Sequence, residues 1–177
     1  MLPLLNGYIL DVSSDMWQMK HDVVSLGPLR LTVQRIAYSH WSPHETLRSW
    51  GQVPLHKESD VLLAPCAPAE ALWLGVWLEE GEGPASITLI DPISGYRGLA
   101  TIPIDFQIGV LHRTSAPDLP ITLPTGSSYN LRLELVCIEK QAVVPFLLLR
   151  PMEWSDRAGR DAPWPLDKPP PLPPLLG

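Results

Sequence analysis

Tyr129-Asn130-Leu131-Arg132-Leu133-Glu134-Leu135-Val136-Cys137 is the stretch whose pattern decides the fold. Leu131, Leu133, Leu135 and Cys137 fall on one side of an extended chain, while Asn130, Arg132 and Glu134 fall on the other. Successive side chains of a strand point to opposite faces, so this period of two predicts a strand with one buried and one wet face. Strands of that kind belong to antiparallel sheets, in which one face packs and the other meets water. Leu29-Arg30-Leu31-Thr32-Val33-Gln34 repeats the pattern nearer the start of the chain.

Working outward, apolar runs at residues 8–12, 61–64, 71–79, 85–90, 96–104, 106–111, 119–123 and 142–150 read as further strands bounded by turn signals. Gly81-Glu82-Gly83-Pro84 can turn the chain tightly, which predicts a hairpin over residues 71–90. Asp91-Pro92-Ile93-Ser94-Gly95 makes the next turn, with proline presetting φ and glycine permitting positive φ. Pro124-Thr125-Gly126 separates the last strands. Short strands with turns this frequent predict an all-β, antiparallel β-sandwich of jelly-roll-like form, one sheet covering the other. One short helix is expected after Ser42-Pro43-His44-Glu45, a capping box with proline at the first helical position. Leu47 and Trp50 would face the core, and Gly51 would end the helix.

The composition changes after residue 151. Pro163, Pro165 and the prolines of residues 169–174 cannot donate ladder hydrogen bonds and favour an extended polyproline course. The expected organisation is therefore a sandwich domain over residues 1–151 and a proline-rich tail over residues 152–177. The tail would be extended, either packed through Trp154 and Trp164 or loose at its end.

A net charge of −6 argues against a broad phosphate-binding face, so direct nucleic-acid binding is not expected. An acidic surface suits a partner that is itself basic. The first residues, Met1-Leu2-Pro3-Leu4-Leu5-Asn6-Gly7, have no basic start and an interrupted apolar run, which predicts neither a signal peptide nor a membrane span. A cytoplasmic, soluble protein is the expectation. The two cysteines, Cys66 and Cys137, have no metal-type spacing and read as buried reduced thiols, with a disulfide as the other possibility.

A search for chemistry turns up no catalytic set. Pro43 starts the expected helix between His40 and His44, so those two do not share a helical face as metal ligands would. Gly126-Ser127-Ser128 lies in a turn without the strand-to-helix context of a nucleophile elbow. Cys137 closes an alternating strand on its apolar side, where a thiolate is disfavoured. No phosphate-cradling loop or dinucleotide fingerprint occurs. The reading is a non-enzymatic protein with no cofactor and no metal.

Three features could carry binding instead. Glu79, Glu80 and Glu82, with Asp91 in the next turn, form a candidate acidic patch; a solvated turn is the ordinary explanation of such a cluster. Trp73 and Trp77 share one face of the strand over residues 71–79 with Gly75 between them. They could form an aromatic platform for sugar rings, or they could pack in the core, since aromatics bury large areas. Lys168, Pro171 and Pro174 fit a basic-x-x-Pro-x-x-Pro ligand for an aromatic groove, a match that arises easily in proline-rich sequence.

The parts from residue 29 to 136 follow one another in a suggestive order. An alternating strand at residues 29–38 leads through a stretch ending Trp50-Gly51 to the apolar strand at residues 71–78. Ala100-Thr101-Ile102-Pro103-Ile104-Asp105-Phe106 and Leu119-Pro120-Ile121-Thr122-Leu123-Pro124 follow, and the alternating strand closes the series. In this order the chain resembles the competence protein J family, bacterial inhibitors of a DNA-entry nuclease. The resemblance implies a non-enzymatic protein that blocks a nuclease or toxin by binding it, and it carries no functional residue across. The leading expectation is thus an inhibitor or immunity protein against a basic nuclease or toxin. A carbohydrate- or small-ligand-binding module, and a structural subunit whose tail lies on a neighbour, are the alternatives.

Overall fold

The computed structural model describes residues 16–40, 42, 48–68, 70–79, 83–112, 121–122 and 128–163. In chain order the first strands are β1 (Gln18–Lys20), β2 (Val23–Leu26), β3 (Leu29–Ala37), β4 (His56–Glu58), β5 (Val61–Pro65) and β6 (Glu70–Leu78). They are followed by β7 (Ala85–Ile90), β8 (Arg97–Ile102), β9 (Gln107–His112), β10 (Ile121–Thr122), β11 (Tyr129–Cys137) and β12 (Lys140–Leu149). A helix, α1 (Pro151–Ala158), ends the described part. The strands form two six-stranded sheets, the first in the order β1-β2-β3-β6-β9-β10 and the second in the order β4-β5-β12-β11-β7-β8. The chain is an all-β sandwich, with one short α-helix among the described residues.

The core lies between the sheets and follows the alternation of each strand. Leu131, Leu133, Leu135 and Cys137 of β11 are buried, whereas Asn130 and Arg132 are exposed. From the first sheet Leu29, Leu31 and Val33 of β3 and Leu72, Leu74 and Val76 of β6 join the same buried cluster. Each such side chain contributes about 1.5–3 kcal/mol by leaving water, which is why a one-residue slip of register is not tolerated. Both cysteines are buried free thiols.

Four expectations need correction. Residues 71–90 are not a hairpin: β6 pairs with β3 and β9, while β7 pairs with β11 and β8 in the other sheet. The chain therefore passes from one sheet to the other between β6 and β7, and past the end of β6 the Glu79 N–H donates to the Pro28 carbonyl at 2.8 Å. Two consecutive strands with one apolar face each can bury those faces side by side or against each other, and a Gly-Pro turn serves both. The pairing is also not wholly antiparallel, since β5 runs parallel to β12 and β9 to β10.

Most of the helix expected from Ser42 lies outside the described residues, but its end does not. Arg48 and Ser49 are not helical, and the backbone at Trp50–Val53 runs along β3. There the Trp50 and Val53 N–H groups donate to the Arg35 and Val33 carbonyls, and the Arg35 N–H donates to the Gly51 carbonyl. The Gly51 φ of +147° is one that other residues rarely adopt. Finally, the tail does not begin extended. Pro151–Ala158 is helical, with proline in its first turn and Gly159 at φ 70° closing it. It crosses the expected boundary at residue 151 and buries Trp154 completely against Leu63 and Leu149 on the outer side of the second sheet. The basic-x-x-Pro-x-x-Pro match at Lys168, Pro171 and Pro174 lies outside the described residues, as do Trp164 and the strand expected at residues 8–12.

Candidate interaction surface

The outward residues of β3 and β6 make the face on which the tryptophans sit. In register, Arg30 stands opposite Trp77, Thr32 opposite Gly75, Gln34 opposite Trp73, and Ile36 opposite Ala71. Trp73 and Trp77 thus share one face, as their spacing requires, and that face is the outside of the sandwich. Their surroundings differ. Ile36, Ala71 and Trp73 form a small apolar cluster covered by Tyr38 and Trp50. The Trp73 Nε1–H donates to the Arg48 carbonyl at 2.9 Å, so the indole is satisfied as well as buried. Gly75 does not leave an open notch: a Cβ there would stand 3.1 Å from Thr32 Oγ1 and 3.4 Å from the Trp73 ring.

Trp77 lies beyond that cover and is 40% exposed. Beside it the Arg30 guanidinium forms an ion pair with Glu79 at 2.7 Å, the Glu79 side chain being 58% exposed. The same guanidinium donates to the carbonyls of Gly27 and Leu29, so its plane is held. Trp77, Arg30 and Glu79 therefore form one corner, at the end of β6 where the chain leaves for the other sheet. The corner offers a flat aromatic surface, a fixed cation and an accessible carboxylate. Arg30 was not a sequence candidate: it is the ordinary outward residue of an alternating strand, and only the register places it opposite Trp77.

The expected acidic patch is described only at Glu79 and Asp91. Glu80 and Glu82 lie outside the described residues, and Glu79 is already paired. Asp91 is a correction: it is only 1% exposed and faces inward. Tyr129 OH donates to both of its carboxylate oxygens at 2.9 Å, Ser94 Oγ donates at 2.6 Å, and the Ile93 N–H at 3.0 Å. Burial acts to raise the Asp91 pKa, but the hydrogen bonds from Ser94, the Ile93 amide and Tyr129 outweigh it and hold the carboxyl below its usual range. Burial and then the Asp91 hydrogen bond push the Tyr129 phenol up to about 12. Asp91 is a structural acid that ties the turn after β7 to the start of β11. It also lies past Ile90, at the end of β7 away from Glu79.

Among the described residues no group of His, Cys, Asp or Glu is placed to hold a metal ion. No helix among them is long and apolar enough to cross a membrane. No family model matches the chain, and no curated protein or solved structure matches it either.

Proposed function

We propose that the protein acts without catalysis, by binding another protein through the corner formed by Trp77, Arg30 and Glu79. The observation that carries this reading is the exposed Trp77 ring beside an arginine already held in place. Tryptophan and arginine are the residues on which binding energy concentrates in protein interfaces, and a guanidinium fixed in the free protein loses little freedom on docking. Covering of Trp73 favours this reading over the sugar platform, because one half-exposed ring replaces the expected pair. The net charge of −6 supports a basic partner, whose approach it would accelerate. With the order of elements that resembles nuclease inhibitors, it extends the proposal to inhibition of a basic nuclease or toxin.

The test is affinity capture with the native protein and with Trp77→Ala and Arg30→Ala variants of unchanged melting temperature. A stoichiometric basic protein should be retained by the native bait and bound at least ~30-fold more weakly by Trp77→Ala, the loss expected of a hot-spot residue of about 2 kcal/mol. Undiminished capture by both folded variants would remove this corner. Capture of no protein, with Trp77 fluorescence quenched by an oligosaccharide, would replace protein binding by carbohydrate binding.

A further inference from the structure

The lateral edge of the second sheet carries an inference independent of the Trp77 corner, which lies on the first sheet. Among the described residues, strand β8 pairs with β7 and has no strand on its other side. The Asp91 N–H donates to the Tyr96 carbonyl at 2.9 Å, which marks that pair as a hydrogen-bonded rung. Rungs of an antiparallel ladder alternate, and the β7–β8 register then makes Leu89–Gly98 and Ile87–Ala100 the next bonded rungs. Arg97, Leu99 and Thr101 consequently turn their N–H and C=O groups outward.

At Thr101 this edge is already closed. Its N–H donates to the Asp105 carboxylate at 2.8 Å, and its carbonyl accepts the Asp105 N–H at 2.7 Å. Nothing among the described residues does the same for Arg97 or Leu99. The usual protections of an edge, a proline or a lysine, are absent from Arg97–Ile102. Leu99 is 64% exposed, and the exposed Ile93 and Ile104 lie in the turns at either end of the strand.

We propose that this edge is covered by a second copy of the chain, in an antiparallel β8–β8′ pair about a two-fold axis through Gly98. In that register Arg97 stands opposite Leu99 of the other copy, and the reciprocal pair follows by symmetry. Each of these rungs exchanges two hydrogen bonds, so every free edge group is used and none is left over. Asp105 ends the ladder at the next outward position. In an antiparallel pair the Ile93 end of one copy lies alongside the Ile104 end of the other, so exposed apolar residues come from both copies at each end. Gly98 lies at the axis, and its lack of a side chain is accounted for within one copy. The space a side chain would need there is taken by Tyr96, whose hydroxyl would lie 2.5 Å from a Cβ at that position. Each Arg97 also brings its own counter-charge, with Glu134 at 3.9 Å.

The symmetric placement of the two free residues about Gly98, with exposed apolar residues beyond both ends of the strand, favours a second copy over a foreign strand. The experiment is sedimentation velocity across protein concentration, with Leu99→Pro and Leu99→Lys as variants. Leu99→Pro removes only an outward N–H and leaves the β7 ladder intact; Leu99→Lys keeps the backbone and places a charge at the seam. The native protein should dimerise, and both variants should self-associate at least ~10-fold more weakly, the equivalent of about 1.4 kcal/mol, with β-sheet circular dichroism unchanged. Trp77→Ala should leave the dimer intact, which separates this proposal from the function proposed above. A native protein that is monomeric throughout, or a dimer that both variants preserve, would overturn it. A monomer that forms a complex with another protein and loses it in Leu99→Pro would assign the edge to a foreign strand instead.

Discussion

The two sides of the second sheet are finished in opposite ways. On the β4–β5 side the chain folds back over the sheet as α1. Trp154 is fully buried there, and its Nε1–H donates to the Leu63 carbonyl at 3.1 Å. Arg157 pairs with Glu58, and Arg160 lies over the Trp154 ring at 5.3 Å while pairing with Asp22 at 2.6 Å. Asp22 belongs to the turn between β1 and β2 and also accepts the Leu55 N–H at 2.9 Å, so this strap joins the two sheets. On the β8 side, among the described residues, Asp105 closes the edge only at Thr101, and Leu99 is exposed. Its fixings are internal, through Asp91 and Tyr129. The contrast teaches that one side is closed by the chain itself, whereas the other, among the described residues, keeps Arg97 and Leu99 uncovered.

The largest expected effect comes from breaking the closed side. Trp154→Ala should cost about 3–5 kcal/mol, because it opens a cavity between α1 and β5 and strands the Leu63 carbonyl. Urea denaturation measures it, and a loss below about 1 kcal/mol would show that α1 merely rests on the sheet.

Next comes the internal fixing of the open side. Tyr129→Phe removes the donor to a buried carboxylate and should cost about 1.5–3 kcal/mol at neutral pH, again by urea denaturation. The pH dependence has a definite sign. The folded Asp91 pKa is lowered, so its contribution is present above the unfolded value of about 3.9 and is lost as pH falls through the folded one. The Tyr129 pKa is raised to about 12, so its contribution is complete below about 10 and is lost as pH rises toward 12. Acid unfolding of Tyr129→Phe should begin at a higher pH than in the native protein. An unchanged acid limb would mean that Ser94 and the Ile93 amide hold Asp91 without help.

The smallest effect belongs to the ion pair at the end of the strap. The Arg157 side-chain hydrogen bond lowers the Glu58 pKa despite some opposing desolvation, but the pair is solvent-exposed and screened by salt. Arg157→Ala should lower the melting temperature least of the three, and the difference should vanish at high ionic strength. A shift as large as that of Trp154→Ala would mean that the strap is electrostatic rather than apolar.

Several of these features are legible in the chain itself. Alternation at residues 129–137 and the run at residues 85–90 place β11 and β7 correctly, because the period of a strand is local. Strands β1, β2 and β4 carry no such signal: with three or four residues each, they exist only because longer neighbours pair with them. The pattern also puts Trp73 and Trp77 on one face. It does not say that the backbone at residues 48–50 lies over one ring and leaves the other bare.

Asp91 shows the same division most sharply. An acid in an Asp-Pro-Ile-Ser-Gly turn reads as solvated, and it is buried only because Tyr129, far along the chain, comes to rest against it. The sequence by itself determined an all-β chain, the inward sets of the alternating strands β3 and β11 and the turn at residues 91–95, since these follow from the alternation of side chains and from the torsions of proline and glycine. Only the tertiary structure decided that residues 71–90 divide between two sheets, that α1 closes one side, and that Arg30 stands beside Trp77. Those outcomes depend on pairing between distant segments, where many partners satisfy the same local pattern and the packing of the whole selects one.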